Sequence, residues 1–384
     1  MSDTRKTTKP NVPNLRFPGF EGEWELKKLS AYLYENKERN RNGEFNKSDV
    51  LSVSGDCGIV NQIELLGRSF AGKSVADYHV VRTDDIVYTK SPLKEYPYGI
   101  VKYNNGQDGI VSTLYAVYHH KDNVDGQFVE YYFTNPQRTN RYFKPIVRIG
   151  AKHDMKIGNE EVLDSFVVFP GLEEQRKITE MLSLLDLRIA IQNKVIEKYE
   201  SLIKALRHHL FSTLESVKEV PVADLLSYEQ PTKYIVSDTE YSNNTDLTPV
   251  LTANKAFILG YTDEVEGIYD KGPCIILDDF TLDFKIVEFP FKVKSSAIKI
   301  LSAKTTVSLR YIFEYMKFLD LNTEEHKRHY IAEIEPMSIE LPEEDTIKSI
   351  AFLFDLMDKR RKGLERDQQL LKSQKDYLLR EIFI

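Results

Sequence analysis

Apolar residues recur in two long stretches at alternating steps of four and three residues, which is the spacing of a coiled-coil seam. In the first stretch the seam positions are Ile178, Leu182, Leu185, Ile189, Gln192, Ile196, Tyr199, Ile203 and Leu206. In the second stretch they are Ile350, Phe354, Met357, Arg361, Leu364, Gln368, Leu371, Lys375 and Leu378. The pattern predicts two helices, each of roughly forty residues and about 60 Å in length.

The two stretches are copies of one segment. Pro342 follows Pro170 by 172 residues, and the same shift places Asp358 on Asp186 without a gap. A Glu-Glu pair stands shortly after each proline, where acidic side chains favour the N-terminal end of a helix. If a pseudo-twofold relates the copies, the second helix must run antiparallel to the first and bring the chain ends near each other.

The segments beside the helices, roughly 15–160 and 212–335, have a different pattern. They contain short β-branched or aromatic runs bounded by Gly, Asp, Asn or Pro, which is typical of strands. These runs are 85–88, 109–112, 115–118, 165–169, 273–277 and 297–301. Short helices are predicted at 128–142 and 308–319. The sequence therefore predicts a mixed α/β (α+β) fold with two globules and two long antiparallel coiled-coil helices.

The net charge, the cysteine content and the length of the apolar runs exclude some classes of protein. The 384 residues carry 52 Lys and Arg against 59 Asp and Glu, a net charge of −7 that by itself argues against nucleic-acid binding. The two cysteines, Cys57 and Cys274, are too far apart in the chain to form a zinc knuckle, and their scarcity fits a reducing cytoplasm. No run approaches the roughly 20 apolar residues that span a bilayer. We expect a cytoplasmic protein without a membrane segment.

Several segments resemble the specificity subunits of type I restriction-modification systems. Residues 13–29, PNLRFPGFEGEWELKKL, are similar to the opening motif of that family. Residues 91–118, 148–157 (RIGAKHDMKI) and 169–186 (FPGLEEQRKITEMLSLLD) resemble its first target-recognition domain and the junction with the first conserved helix. The second copy of the junction, Glu343-Glu344-Asp345, lacks the glutamine. The resemblance covers nearly the whole chain.

The resemblance implies an organisation and a role. Residues 1–160 and 212–335 would be target-recognition domains, each reading one half of a bipartite DNA site. Residues 161–211 and 336–384 would be conserved spacer helices with their lead-in strands, docking two methyltransferase (M) subunits and, through them, the restriction (R) subunits. The chain would be non-catalytic and hold no cofactor, because S-adenosylmethionine, ATP and Mg would be used by the partner subunits.

DNA contact requires local positive charge, and two windows of the chain supply it. Residues 138–156 contain Asp154 as their one acid, and residues 285–304 contain Glu288 as theirs. The candidate DNA-binding residues are Lys90, Lys94, Arg138, Arg141, Lys144, Arg148, Lys152, Lys156, Lys285, Lys292, Lys294, Lys299 and Lys304. The alternative interpretation is a solvated face, in which case the chain is a DNA-independent coiled-coil scaffold.

A second alternative is a P-loop ATPase with a coiled-coil arm. Residues 67–74, GRSFAGKS, match the GxxxxGKS pattern that holds nucleotide phosphates. An apolar run ending in Asp278 and Asp279 imitates the magnesium-binding strand of such enzymes. A P-loop must open a helix, however, and the residues after Ser74 lead within seven positions to another turn. We therefore predict an ordinary glycine turn.

Other catalytic sites have weaker support in the sequence. Asp270, Asp283 and Lys285 could be read as a metal-dependent nuclease site, although acid-x-Lys triplets are common by chance. The pairs His119-His120 and His208-His209 have no metal-ligand spacing. No Asn/Asp-Pro-Pro-Tyr/Phe methyltransferase motif occurs. We expect no metal site and no catalytic residue in this chain.

Overall fold

Two structural units make up the chain in the computed structural model, which describes residues 10–150, 155–252, 257–321 and 328–384. Unit 1 comprises Met1–Ile191 and Gln368–Ile384, and unit 2 comprises Gln192–Asp367. Each unit contains one sheet-rich globule and one part of each long helix.

Unit 1 begins with twelve strands and three short helices in its described residues. The strands are β1 (Glu25–Lys28), β2 (Leu33–Glu35), β3 (Leu51–Ser54), β4 (Gly58–Asn61), β5 (His79–Val81), β6 (Ile86–Thr89), β7 (Val101–Tyr103), β8 (Gly109–Val111), β9 (Tyr115–His120), β10 (Arg148–Ile149), β11 (Met155–Lys156) and β12 (Phe166–Phe169). The helices are α1 (Gln62–Leu66), α2 (Gly126–Thr134) and α3 (Pro136–Phe143), followed by the long helix α4 (Leu172–Ser212). Short 3₁₀ turns lie at Leu29–Ala31, Asn40–Asn42, Lys47–Asp49 and Glu161–Leu163.

Unit 2 follows the same plan with nine strands among its described residues. They are β13 (Lys218–Pro221), β14 (Leu226–Glu229), β15 (Thr248–Leu251), β16 (Ile258–Thr262), β17 (Cys274–Asp278), β18 (Phe284–Val287), β19 (Lys292–Val293), β20 (Ile298–Ala303) and β21 (Ser338–Leu341). The helices are α5 (Val222–Leu225), α6 (Leu309–Phe318) and the long α7 (Glu344–Glu381). A 3₁₀ turn lies at Pro231–Tyr234 and a π-helical turn at Tyr330–Ile334.

The main sheets of the two units have the same strand order. In unit 1 the four-stranded antiparallel sheet runs β2-β9-β6-β7, and in unit 2 it runs β14-β20-β17-β18. Each globule is also closed at its base by a pair of antiparallel strands, β1 with β12 and β13 with β21. The internal repeat therefore extends into the globules, where the sequence shift is not evident.

The predicted strands all occur, and one predicted helix is divided in two. Residues 128–142 form α2 and α3 because Asn135, which precedes Pro136, adopts an extended conformation (φ −78°, ψ 118°). A residue before proline is disfavoured in the helical region. The Asn135 side chain then caps α3 by accepting a hydrogen bond from the Arg138 main-chain N–H (3.0 Å). The second predicted helix corresponds to α6.

The long helices pack antiparallel within each unit. In unit 2, Gln192 Nε2 donates to the main-chain oxygen of Leu364 (2.9 Å), and Arg207 lies over the Phe354 ring. In unit 1, Asp186 pairs with Lys375, and the main-chain N–H of Leu15 donates to Glu381 O (3.0 Å). The beginning and the end of the chain therefore meet in unit 1, as the antiparallel arrangement predicted.

The seam residues are buried or half-buried in their own units. Buried positions include Ile178, Leu182, Ile350, Phe354, Met357, Leu364 and Leu371, and half-buried positions include Leu185, Ile189, Ile196, Tyr199, Ile203, Leu206 and Leu378. The polar seam residue Arg361 pairs with Asp358 and Glu365 of its own helix. In each unit the seam joins the hydrophobic core of the adjacent globule.

The residues that carry the family resemblance fix the start of α4. Arg16, from the opening motif, donates two hydrogen bonds to the buried Glu174 carboxylate (2.8 and 2.7 Å). Gln175 is fully buried, and its side chain donates to Pro170 O (2.9 Å) and accepts from the Asp125 main-chain N–H (3.0 Å). The residues of the motif therefore attach the first turn of α4 to the globule of unit 1.

His79, in β5, makes the stability of unit 1 depend on pH. The side chain is 1% exposed, and burial, followed by the charges of Arg39 and Lys90, lowers the pKa of His79 to about 4. An unfolded histidine has a pKa of about 6.5, so below that pH the unfolded chain binds a proton that the folded chain does not. Stability should therefore be complete above pH 6.5 and fall as the pH drops towards 4, by about 2 kcal/mol at pH 5.

Urea unfolding of His79→Gln between pH 7.5 and pH 5 tests this expectation. The variant should lose about 2 kcal/mol less than the unmodified chain over this interval. The matched control is His209→Gln, at an exposed position of α4. An equal pH dependence in all three proteins would contradict the assignment to His79.

Candidate nucleic-acid interface

The candidate basic residues differ widely in exposure. Seven are exposed: Lys94, Arg141, Lys144, Arg148, Lys156, Lys294 and Lys304. Two are half-buried, Lys90 and Lys285, and Lys152 lies outside the described residues. Arg138, Lys292 and Lys299 are buried.

Lys94 lies between β6 and β7, and the other four exposed residues of unit 1 lie on two adjacent elements of the chain. Arg141 follows Gln137 by four residues and precedes Lys144 by three, so the three side chains share the exposed face of α3 and its end. On the hairpin β10–β11, Arg148 is the direct cross-strand partner of Lys156. Like charges directly opposite each other destabilise a strand pair. An anion bound at this hairpin would offset that repulsion.

The buried basic residues have internal partners. Lys292 pairs with Glu264 (2.7 Å) and donates to Glu266 O (2.6 Å). Lys299 pairs with Asp279 (3.3 Å), donates to Tyr228 Oη (3.0 Å), and is 1% exposed. These side chains face the interior, so they are left out of the surface available to DNA.

Arg138 is buried with main-chain oxygens around it. Its guanidinium donates to the main-chain oxygens of Tyr132 (2.8 Å), Leu379 (3.2 Å) and Ile384 (3.3 Å). It lies between the Tyr132 and Phe383 rings, at 5.1 and 5.0 Å from their centroids. Burial lowers the pKa of Arg138 to about 10, and the charge of Arg141 acts in the same direction. Arg138 therefore ties α3 to the end of α7.

Three further basic residues are partly engaged within the fold. Lys90 donates to Ile157 O (3.0 Å) and Asn159 Oδ1 (2.6 Å), and burial lowers its pKa. Lys285 lies 4.9 Å from the centroid of the Phe257 ring, and burial lowers its pKa as well. Lys304 is exposed although its Nζ donates to Ala223 O (2.7 Å). The side chains of the half-buried Lys90 and Lys285 must rearrange before they can contact a phosphate.

The GxxxxGKS segment forms a turn, as the sequence analysis predicted. Gly67 ends α1 with a left-handed φ of 75°, and no helix follows Ser74 before β5 begins at His79. Asp278 and Asp279, the two acidic residues that end the apolar run, have partners within the fold. Asp278 accepts from the main-chain N–H groups of Phe280 and Thr281 in the next turn, and Asp279 pairs with Lys299. The arrangement of a P-loop ATPase is absent from this part of the described chain.

The candidate metal-binding residues do not assemble. Across the described ranges, no group of three or more His, Cys, Asp or Glu side chains could hold a metal ion, and this covers Asp270 and Asp283. His119 is hydrogen-bonded to the buried Asp85 carboxylate. His208 lies 3.4 Å from Ser212 Oγ on the same helix.

The long helices carry apolar residues away from their seams. On α4 the exposed apolar side chains are Leu184, Leu187, Ile191, Val195 and Leu202. On α7 they are Phe352, Leu356, Leu370 and Tyr377, at spacings of four or multiples of seven residues. Residues repeated in this way occupy one face of a helix. None of the helices within the described ranges is both long and apolar enough to cross a membrane.

Comparison with known proteins gives a match in sequence and a match in fold. Over 132 residues the chain is 42% identical to the type I restriction enzyme EcoR124I/EcoR124II specificity subunit of Escherichia coli. The match spans 33% of this chain and 32% of that relative, so about a third of the curated relative is matched. No family model matches the chain.

Two solved structures extend the fold comparison to nearly the whole chain. The type I restriction-modification S subunit from M. genitalium superposes with a TM-score of 0.61 at 13% identity, over 97% of this chain and 99% of that one. A chain from a structure describing assembly and conformational transition of the type I R-M system gives 0.51 at 13% identity, over 96% and 97%. The resemblance noted from the sequence is thus confirmed over a third of the chain, and its fold over nearly all of it.

Proposed function

We propose that this chain is the DNA sequence-specificity subunit of a type I restriction-modification enzyme. It recognises a bipartite DNA site with its two globules, docks two methyltransferase subunits and, through them, the restriction subunits. The observation that carries the proposal is the 42% identity over 132 residues to a subunit of this name, and the fold shared with a solved S subunit supports it. The chain itself is non-catalytic, works in the cytoplasm and leaves S-adenosylmethionine, ATP and Mg to its partners.

The proposed domain boundaries follow the chain plan. Residues 1–160 and 212–335 are the target-recognition domains, and residues 161–211 and 336–384 are the spacer helices with their lead-in strands. The shared strand order of the two main sheets supports two readers of one type. A twofold-repeated scaffold favours two copies of the same partner, one for each half.

The DNA contacts are proposed at the exposed basic residues of each globule. In the first these are Lys94, Arg141, Lys144, Arg148 and Lys156, and in the second Lys294 and Lys304, with Lys90 and Lys285 reaching phosphate after rearrangement. Phosphate contacts of this kind orient a protein on DNA, whereas side chains at the base edges read the sequence. The exposed apolar residues of α4 and α7 are the proposed surface for the methyltransferase subunits.

Methylome sequencing tests the proposal as a whole. Cells that express this chain with its methyltransferase subunit should carry methylated bases in a two-part sequence with an unspecified spacer. Purified chain without its partner should neither methylate nor cleave DNA, whatever cofactors are added. Methyl transfer by the partner-free chain, or an unmethylated genome despite assembly of the complex, would refute the proposed function.

The hairpin β10–β11 provides a sharper test of DNA contact. We expect Arg148→Ala with Lys156→Ala to weaken DNA binding by the assembled complex and to lower the salt slope of log K by about two, since each residue neutralises one phosphate. The matched control is Lys27→Ala with Lys28→Ala on β1, which removes the same charge from exposed positions. If both pairs leave the slope unchanged in folded complexes, the basic hairpin is a solvated face and the scaffold alternative gains support.

A further inference from the structure

A polar cavity of about 480 Å³ in unit 1 is lined by three arginines. Arg138 and Arg141 come from α3, and Arg380 comes from the last turn of α7. Among the described residues that line this cavity there is no aspartate or glutamate; the other polar side chains are those of Asn135 and Gln137. The cavity is named here the Arg380 cavity.

The two exposed arginines of the Arg380 cavity are paired with no acidic side chain of the described residues. Among the described residues, neither Arg141 nor Arg380 makes an ion pair or a side-chain hydrogen bond. Arg361, on the same helix as Arg380, is by contrast paired with Asp358 and Glu365. Guanidinium groups that share a cavity repel each other, and a bound anion would remove that repulsion.

Arg138 is a fixed part of the cavity wall. Its N–H groups are used by three main-chain oxygens, and two aromatic rings hold its guanidinium in place. It is 6% exposed and no carboxylate side chain contacts it among the described residues. Because these bonds occupy Arg138 within the fold, the residues left to bind a ligand in the cavity are Arg141 and Arg380.

The surroundings favour phosphate over a carboxylate from a protein partner. From Asn135 to Gly150, a stretch that includes Arg141, Lys144 and Arg148, the chain contains no acidic residue, so α3 itself places no negative side chain beside the cavity. Arginine side chains bind phosphate oxygens through paired N–H groups. A polyanion lying along α3 would meet Lys144 and then the Arg380 cavity.

We propose that the Arg380 cavity binds one phosphate group of the DNA backbone, with Arg141 and Arg380 as its ligands. The inference rests on the proposed DNA-binding function and deepens it. It adds Arg380, a residue of the spacer helix α7, to contacts otherwise assigned to the globules. One phosphate is thereby held between the first globule and the helix that ends beside it in unit 1.

Salt-dependent DNA binding by the assembled complex tests the inference. Arg380→Ala should lower the affinity roughly tenfold and reduce the salt slope by about one, because one charge-assisted phosphate contact is lost. The matched control is Arg366→Ala, which removes an exposed arginine from the same helix outside the cavity and should leave the slope unchanged. Equal slopes for Arg380→Ala and Arg366→Ala would overturn the inference.

A phosphate titration separates this inference from the proposed function. Inorganic phosphate should raise the Tm of the full chain more than chloride at equal ionic strength, and Arg141→Ala with Arg380→Ala should abolish that excess while Arg366→Ala retains it. If the wild-type complex binds no DNA, the proposed function fails, and a phosphate effect that needs both arginines still supports the cavity as an anion site. If the slope is unchanged but Arg380→Ala weakens methyltransferase binding, the cavity takes a protein carboxylate and the inference is overturned.

Discussion

Lys299→Met is expected to lower the free energy of unfolding of unit 2 by about 3–5 kcal/mol, the largest single-residue effect that we predict. The side chains of Lys299 and Asp279 are 2% and 3% exposed and lie 3.3 Å apart at their charged atoms. Removing the lysine leaves a buried carboxylate whose remaining partners include the main-chain N–H groups of His329 and Tyr330. Those two bonds replace neither the lost charge nor the hydration of the carboxylate.

Urea unfolding of two further variants decides whether the buried pair is the cause. Lys294→Met removes an exposed lysine from the same basic window and should change stability by less than about 0.5 kcal/mol. Lys299→Met combined with Asp279→Asn should recover part of the loss, because the uncompensated charge is gone. A loss below about 1 kcal/mol for Lys299→Met alone would show that the pair contributes little.

If the two globules read the two halves of a DNA site, as proposed, lengthening both long helices by seven residues should widen the spacer between those halves. Insertions after Ile189 in α4 and after Gln368 in α7 both fall between the Asp186–Lys375 contact and the Gln192–Leu364 contact. One heptad returns each seam to the same face and adds about 10 Å, comparable to three base pairs at about 3.4 Å each. Methylome sequencing should find the two half-sites unchanged and their separation larger by up to about three base pairs.

The growth of the spacer can fall short of three base pairs because added base pairs also rotate one half-site about the DNA axis. A seven-residue insertion in α4 alone is the control, since it shifts the seam of one helix against the other and should impair assembly. If the doubly extended chain assembles and still methylates only the original spacing, the helices do not set it. Altered half-site bases would mean that recognition is not confined to the globules.

The elements that could be predicted from the sequence are those with a heptad pattern or with a distinct run of apolar residues. The heptads placed both long helices, and the strand at 297–301 was recognisable because its residues are β-branched or apolar. The repeat of the sheets was not recognisable, because β2-β9-β6-β7 and β14-β20-β17-β18 share an order of pairing rather than a sequence. Strand order is set by contacts between distant segments, which a residue shift along the chain does not detect.

The sequence also could not show which side chains of the basic windows are buried. A count of charges treats Lys292, Lys299 and Arg138 alike, although each finds its partners through the fold. Arg138 bonds to Leu379, which is 241 positions away. A similarly long separation in sequence is the reason that Arg380 could not be predicted as a site residue. In the sequence it is one arginine of a long helix, whereas in the structure it lines a cavity with Arg141. DNA contact by the exposed basic residues is the prediction that the salt dependence of binding tests.

The paired strands at the base of each globule have an evolutionary consequence. Because β1 is hydrogen-bonded to β12 and β13 to β21, the chain enters and leaves each globule at adjacent points. A segment with adjacent ends can be replaced by a different one without disturbing its surroundings. If each globule reads one half of the DNA site, as proposed, recombination in the gene at these boundaries would exchange one half of the recognised sequence and keep the other.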